Sequence, residues 1–294
     1  MPNLKAIRIR IASVKSTRQI TSAMKMVSAA KLRRAQDKIV RLRPYATRLH
    51  DILVNLSQSL ADSEVENIYG RTSLPDKVLI VIVTSNRGLC GAFNANIIRE
   101  ARRLISEKYS EQFGKGNVSF LAIGKKGYDY LRKMKVRIAS EHNDLLNDVT
   151  FGRSAEIAEK VMKSFVDGEY DRIEIIYNLF RNAAVQNVIS EQFLPVQLSP
   201  VGKTSSVPVD YIYEPTKEEI VKELIPKSLK IQFYKAIIDS YVAENGARMT
   251  AMHIATDNAT TMIHDLALQY NKARQAAITN QILEVVSGAE ALKG

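Results

Sequence analysis

Alternating steps of four and three residues run through the first sixty positions of the chain. They pick out Ile7, Ile11 and Val14, then Leu32, Ala35, Ile39, Leu42, Ala46, Leu49, Leu53, Leu56 and Leu60. This is the seam of a helix that pairs with another helix. From Leu4 to Leu60 there is no glycine and one proline, Pro44. The pattern predicts a long helix over 1–60, bent at Pro44 where one backbone donor is lost; two shorter helices are the alternative. Between Val14 and Leu32 the seam positions are Arg18, Thr21, Lys25 and Ser28, while Ile20, Met24 and Val27 form a stripe displaced by one residue. The apolar face is therefore expected to shift partway along the helix, as it would where the helix changes partners.

The C-terminal part behaves similarly, and a second long helix is predicted over 211–290. Pro215 opens 216-TKEEIVKELIP, a helix start with acids near its N-terminus, and Pro226 predicts an interruption or kink. Beyond it Met252, Ala255, Ala259, Met262, Leu266, Gln269, Ala273, Ala276 and Leu283 keep the four-three rhythm. This seam is alanine-rich. Small residues let helix axes approach closely but bury little area, so a slender helix of this kind calls for a sleeve supplied by another protein.

Between the helices the period changes. Apolar runs at 78–84, 118–123, 136–139, 173–179 and about 185–198 alternate with the helical stretches 97-IIREARRLISEKY and 154-SAEIAEKVMKSF. Strands alternating with helices predict a compact, largely parallel, Rossmann-like α/β domain over 76–205, with 199-SPVGKTSSVPVD-210 as a loop. The predicted fold class is thus α/β, with two long terminal helices in an antiparallel coiled coil around a central α/β domain. At 1.5 Å per residue the helices reach roughly 80–110 Å, the C-terminal one projecting beyond its partner.

Charge sharpens the picture. Residues 1–50 hold thirteen Lys or Arg and one acid, Asp37, which accounts for the whole net charge of +11, whereas residues 246–294 balance. A field this one-sided implies an acidic partner, nucleic acid or an anionic surface. The longest apolar run, Val78 to Val83, is too short to cross a bilayer. No apolar secretory core opens the chain, and the lone Cys90 offers no intrachain disulfide or cysteine metal cluster. An intracellular compartment is the expectation.

The turn 84-TSNRGLCGAFN-94 raises the question of phosphate binding. Its Gly88-Leu89-Cys90-Gly91 lacks the dinucleotide fingerprint and the Lys-Ser/Thr ending of a phosphate loop, and Gly124-Lys125-Lys126-Gly127 fails the same tests. Arg87 reads as a solvated arginine. His50, His142, His253 and His264 have no metal-ligand spacing; His253 and His264 would lie about 16 Å apart on one helix. Cys90 has no evident base. No catalytic, metal or cofactor constellation is found. Met24, Met26, Met249, Met252 and Met262 fall at helical positions, as seam filler or as an adaptable contact surface. A basic coiled-coil nucleic-acid-binding protein is the rival reading, although Tyr45 is the only aromatic before residue 69. A small dehydrogenase or nucleotide hydrolase is weakened by the missing phosphate motifs.

The stretch 11-IASVKSTRQITSAMKMVSAAKLRRAQ-36 closely resembles the N-terminal helix of the gamma subunits of F-type ATP synthases. The segments 84-TSNRGLCGAFN-94, 211-YIYEP-215, 246-GARMTAMHIATDNA-259 and 270-YNKARQAAITNQILEVVSGAEAL-292 resemble that family in the same order. The resemblance implies a non-catalytic rotor shaft inside a hexamer of alpha and beta subunits. The middle domain would sit by the c-ring and epsilon subunit, and proton flow would turn ring and shaft. It implies contacts to the hexamer from Met24, from the basic Lys31, Arg33 and Arg34, and from Arg248, Gln275 and Thr279. Tyr211 and Glu214 match a segment near the ring and epsilon. Lys25 and Gln281 stand where many relatives carry glutamate, so acid-mediated contacts are not assigned there. The cysteine-bearing regulatory insertion of plastid members is absent. No transit peptide is evident, and the expected place is the cytoplasmic face of a bacterial inner membrane, held peripherally, with no cofactor and no nucleic acid.

Overall fold

The computed structural model describes residues 4–59, 68–71, 75–183, 185–196 and 217–292. The elements in chain order are α1 (Leu4–Ser59), β1 (Val78–Val83), α2 (Phe93–Lys108), α3 (Ser110–Gly114), β2 (Val118–Ile123), α4 (Lys125–Lys133), β3 (Arg137–Glu141), a 3₁₀ turn (Asp144–Asn147), α5 (Phe151–Val166), β4 (Arg172–Phe180), β5 (Gln186–Leu194) and α6 (Lys217–Ala291). The chain groups into two compact units, Met1–Ala29 with Arg248–Gly294, and Ala30–Ala247. The predicted loop at 199–210 and the helix start at Pro215 lie outside the described residues.

Helix α1 runs unbroken through Pro44, and α6 runs through Pro226. The expected interruption at Pro226 is absent: a proline removes one backbone hydrogen bond, and a helix of 75 residues keeps the rest. If straight, α1 and α6 would span roughly 84 and 112 Å.

In the unit Ala30–Ala247 the sheet order is β3-β2-β1-β4-β5, parallel except for the antiparallel β4–β5 pair. The central strand β1, VLIVIV, is buried on both faces, which explains why its sequence is a continuous apolar run. The edge strand β3 alternates exposed and half-buried residues. One face packs Val78, Ile80 and Ile82 with Phe120, Ala122 and Ile176 beneath Ile97, Ala101 and Leu104 of α2 and Leu131 of α4. On the other side α6 reaches β5 through Phe193 and Phe233, whose ring centroids lie 5.7 Å apart. Helix α6 also meets α5 through the edge-on pair Phe151–Tyr234 and the Lys230–Glu159 ion pair. From α1, Leu32, Ala35, Ile39 and Leu49 are buried, and Lys38 Nζ donates to Val149 O at 3.1 Å.

Sequence periodicity missed α4, because KKGYDYLRK is mostly polar. Its docking depends on the glycines flanking the two lysines. Gly124 takes φ 99°, and a Cβ there would stand 2.2 Å from Thr84 O; one on Gly127 would stand 2.7 Å from Thr84 Oγ1. The GKKG motif is therefore a close-approach device that seats α4 on the end of β1. Gly124→Ala is expected to lose more than about 2 kcal/mol of stability in denaturant unfolding, since backbone cannot yield as a flexible side chain can. A loss below half that would show that the turn relaxes.

Candidate functional site

In an open parallel sheet the ligand crevice lies beyond the carboxyl ends of the strands, where the connections reverse direction. Here β1 leads outward to β2 and β3, and the chain then returns to β4 on the other side of β1. The crevice should open beyond β1 and β4. It is filled by protein. Ser240 Oγ of α6 donates to Val83 O at 3.4 Å. Ala243 and Ala247 are buried with Cys90 and Phe93, and Phe180 packs against them. A Cβ on Gly246 would come within 3.3 Å of Ala183 Cα and of Phe180.

The turn after β1 is likewise closed by its own side chains. Asn94 Oδ1 accepts from Ser85 N at 2.9 Å, and Asn94 Nδ2 donates to Ser85 Oγ at 2.7 Å and to Cys90 Sγ at 3.3 Å. Asn86 Oδ1 accepts from Lys125 N at 3.0 Å, and Thr84 Oγ1 accepts from Gly127 N at 2.8 Å. A phosphate cradle needs backbone N–H groups turned outward; these three point to side chains instead. Leu89, at φ 66°, and Gly91, at φ 59°, shape the loop that makes this possible. The thiol of Cys90 is buried among these groups.

A cavity of about 500 Å³ lies between the end of α2 and strands β4 and β5. Among its charges Arg103 pairs with Glu100 and Glu107, and Lys108 with Glu174 at 2.5 Å, while the buried Nε of Arg172 has no hydrogen-bond partner among the described residues. Tyr109 also donates to Glu174, at 2.6 Å, and burial followed by that carboxylate holds the phenol well above its ordinary pKa. On the opposite side of the unit, Asp239 of α6 is completely buried. Burial raises its pKa to about 6; Arg43 and Lys235 pull it down and Glu191 pushes it up. Among the described residues no group of three or more His, Cys, Asp or Glu could hold a metal ion.

In the unit Met1–Ala29 with Arg248–Gly294 the two helices pair antiparallel, with Thr21 opposite Thr256 and Lys25 opposite His253. The seam keeps one phase through its polar middle. Thr21 is 8 % and Ser28 3 % exposed, whereas Ile20 and Val27 are 58 % and 57 % exposed. The expected shift of the buried face is thus corrected: the polar residues stay inside because they are small and their hydroxyls find partners. Thr21 Oγ1 and Thr256 Oγ1 lie 2.8 Å apart, Thr256 donates a hydrogen bond to Met252 O at 2.8 Å, and Ser28 donates to Met24 O at 2.8 Å. Beside them Lys25 Nζ lies 3.4 Å from His253 Nδ1, itself 3.3 Å from Asp257 Oδ2. That nitrogen can accept from the lysine or donate to the carboxylate, one at a time.

The seam of α6 also needs adjustment. Met252, Ala259 and Leu266 are buried and Ala255, Ala273 and Ala276 half-buried, but Met262, Gln269 and Leu283 are exposed, and Ile263 and Tyr270 turn inward. From Gln281 onward every described side chain is exposed, including Ile282, Leu283, Val285, Val286 and Leu292. Apolar residues on all sides of an uncovered helix mark a surface meant for another chain.

The expected contact residues fall as follows. Met24 and Arg248 are half-buried, Gln275 and Thr279 exposed one turn apart. Arg248 and Gln275 are 27 positions apart on one helix, roughly 40 Å, so they serve different levels. In the other unit Lys31, Arg33 and Arg34 are exposed and have no acidic partner among the described residues. Tyr211 and Glu214 lie outside the described residues. Met26, 65 % exposed beside Ile20 and Val27, was expected as either seam filler or contact surface and lies on the surface.

A ligand crevice closed by the chain's own helix and a helical pair with apolar outer residues define a helical scaffold built to meet other proteins. The ATP synthase family model matches residues 3–292. The chain is 54% identical to the ATP synthase gamma chain of Cytophaga hutchinsonii, over 99% of both chains, and 56% identical to that of Flavobacterium johnsoniae, over the whole of both. Among solved structures it resembles a chain of the Tetrahymena thermophila mitochondrial ATP synthase central stalk and c-ring, with 26% identity, TM-score 0.58, and coverage of 80% of this chain and 99% of that one. A chain of the Euglena gracilis mitochondrial ATP synthase shares its fold at TM-score 0.69 and 22% identity, over 98% and 94%. The chain belongs to the family of ATP synthase gamma chains. The nucleic-acid reading is thereby set aside. Among the described residues no helix is long and apolar enough to cross a membrane.

The polar middle of the seam carries its own test. Replacing both partners of a buried hydrogen bond by apolar groups of the same shape is neutral or stabilising. The double change Thr21→Val with Thr256→Val should raise stability by roughly 0.5–1 kcal/mol in thermal unfolding followed by circular dichroism. A loss of similar size would mean that the hydroxyl pair holds the helices together.

Proposed function

We propose that this chain is the central rotor shaft of a proton-translocating ATP synthase. It couples rotation of the c-ring to conformational change in the alpha-beta hexamer, and catalyses nothing itself. The observation that carries this reading is the uncovered apolar end of α6, from Ile278 to Leu292. A helix of this character is stable in water only inside a sleeve, and a ring of subunits around it supplies one. The shaft would comprise residues 1–60 and 211–290, and the body 76–205. The complex would be held at the cytoplasmic side of the inner membrane.

Torque follows from differential contact. Each shaft orientation must favour one set of hexamer conformations over another, since equal contact in all orientations shifts nothing. Met24, Arg248, Gln275 and Thr279 supply close contacts at separate levels in this reading, and Lys31, Arg33 and Arg34 attract acidic loops without locking to them, since exposed ion pairs are individually weak. Tyr211 and Glu214 would serve the contact with the ring and the epsilon subunit in the same reading.

Expressed together with cognate alpha and beta subunits, the full chain is expected to co-purify with the hexamer in a fixed ratio of one per complex. A hexamer recovered without it under assembly conditions speaks against the assignment. The triple change Lys31→Ala, Arg33→Ala and Arg34→Ala should lower proton pumping per ATP hydrolysed while changing unfolding free energy by no more than about 0.5 kcal/mol per site, as surface changes do. Undiminished pumping in that variant rejects the electrostatic role.

A further inference from the structure

Within the unit Ala30–Ala247, Asp239 is an acid in an apolar stretch of α6, 236-AIIDSYVA-243. Its side chain is 1 % exposed, and neither carboxylate oxygen has a hydrogen-bond donor among the described residues. The nearest cation is Arg43 of α1, 3.8 Å away and 53 % exposed. At that distance the guanidinium attracts the carboxylate without donating to it. The other charged groups acting on it are Lys235 one turn back on α6, which offsets its charge, and Glu191 of β5, which opposes it. Glu191 is held by Tyr177 of β4 at 3.0 Å and by Gln232 of α6 at 2.5 Å. Tyr177 also feels Asp239 and stays protonated well above its ordinary pKa, chiefly through burial.

Arg43 immediately precedes Pro44, where α1 lacks the backbone bond back to Val40. The neighbours Leu42 and Ala46 are only half-buried, and Val40 and Tyr45 are exposed. The apolar grip of α1 is therefore looser at the ionic contact than at Leu32, Ala35, Ile39 and Leu49.

We propose that Asp239 is a proton-responsive pin between α1 and α6: ionised, it holds Arg43 and fixes the register of the two helices; protonated, it lets Arg43 turn into solvent. Such a buried, incompletely paired charge lowers stability while specifying one arrangement. The proton linkage has a definite sign. The folded-state pKa of about 6 lies above the ordinary carboxylate value of 3.8. The folded chain therefore binds the proton more tightly than the unfolded chain between those two pH values. The cost of the charge is absent below the lower value and complete above the upper one. Acidification through pH 6 stabilises the fold and unpins the helices together. The inference concerns the chain's own packing and does not depend on the rotor reading.

The test uses the full-length chain with Cys90→Ala and spin labels at Val40→Cys and Lys227→Cys, both exposed sites, for electron-spin distance measurement. At pH 7.5 a narrow distance distribution is expected. At pH 5.0 it should broaden, and Asp239→Asn should show the same broadening at both pH values. In thermal unfolding Asp239→Asn should raise the midpoint by a few degrees at pH 7.5 and by about half as much at pH 5.0, which lies between the two pKa values. Arg43→Met should broaden the distances at pH 7.5 without that rise in midpoint. A distribution unaffected by pH in the parent chain, or an Asp239→Asn chain no more stable at pH 7.5, would overturn the proposal.

Discussion

The fold of the α/β unit depends on one docking: helix α6 lies in the crevice where a sheet of this topology ordinarily receives a ligand. Ser240 caps the end of β1, and Ala243, Gly246 and Ala247 bring the helix backbone against Cys90, Phe93 and Phe180. Only small side chains permit that approach. The turn after β1 then has no need to face a ligand: its Ser85 N–H donates to Asn94, and its Asn86 and Thr84 side chains accept from Lys125 N and Gly127 N at the start of α4. A sheet topology associated with nucleotides becomes a socket for a helix, consistent with the rule that function lives in the site and not in the fold.

The helical pair follows a complementary logic. Its seam is occupied in the middle by Thr21 and Ser28, while Ile20 and Val27 on the same helix face outward. For an isolated pair this arrangement is inverted, since burying the larger apolar residues would stabilise it more. It makes sense where the outer surface is itself covered by other subunits. Modest adhesion inside and apolar exposure outside suit a helix pair supported from without.

Much of this was legible in the sequence, and the failures have physical causes. The strands were plain because β1, β2 and β4 are buried on both sides, β1 as an unbroken apolar run and the other two as mostly apolar ones. The long helices were plain because glycine is absent from α1 and rare in α6, and the four-three rhythm persists. The phase of α6 was not, because alanines at adjacent positions fit two seams equally well, and Ile263 and Tyr270 were chosen over Met262 and Gln269. The socket was missed, although Ala236, Ser240, Ala243 and Ala247 already stand at four-three-four spacing. The pin at Asp239 could have been suspected from an acid amid AII and YVA. The outward stripe of α1 was read as a change of partner, because a single chain does not disclose which of its apolar faces another protein will cover.

The account stands on the claim that this chain turns within its complex and carries twist. The most direct measurement attaches an optical probe to the α/β body of the chain in a surface-held alpha-beta hexamer and records it during ATP hydrolysis. The account predicts stepwise rotation in one direction, in step with turnover. Sustained hydrolysis with a stationary probe on an intact complex would contradict it.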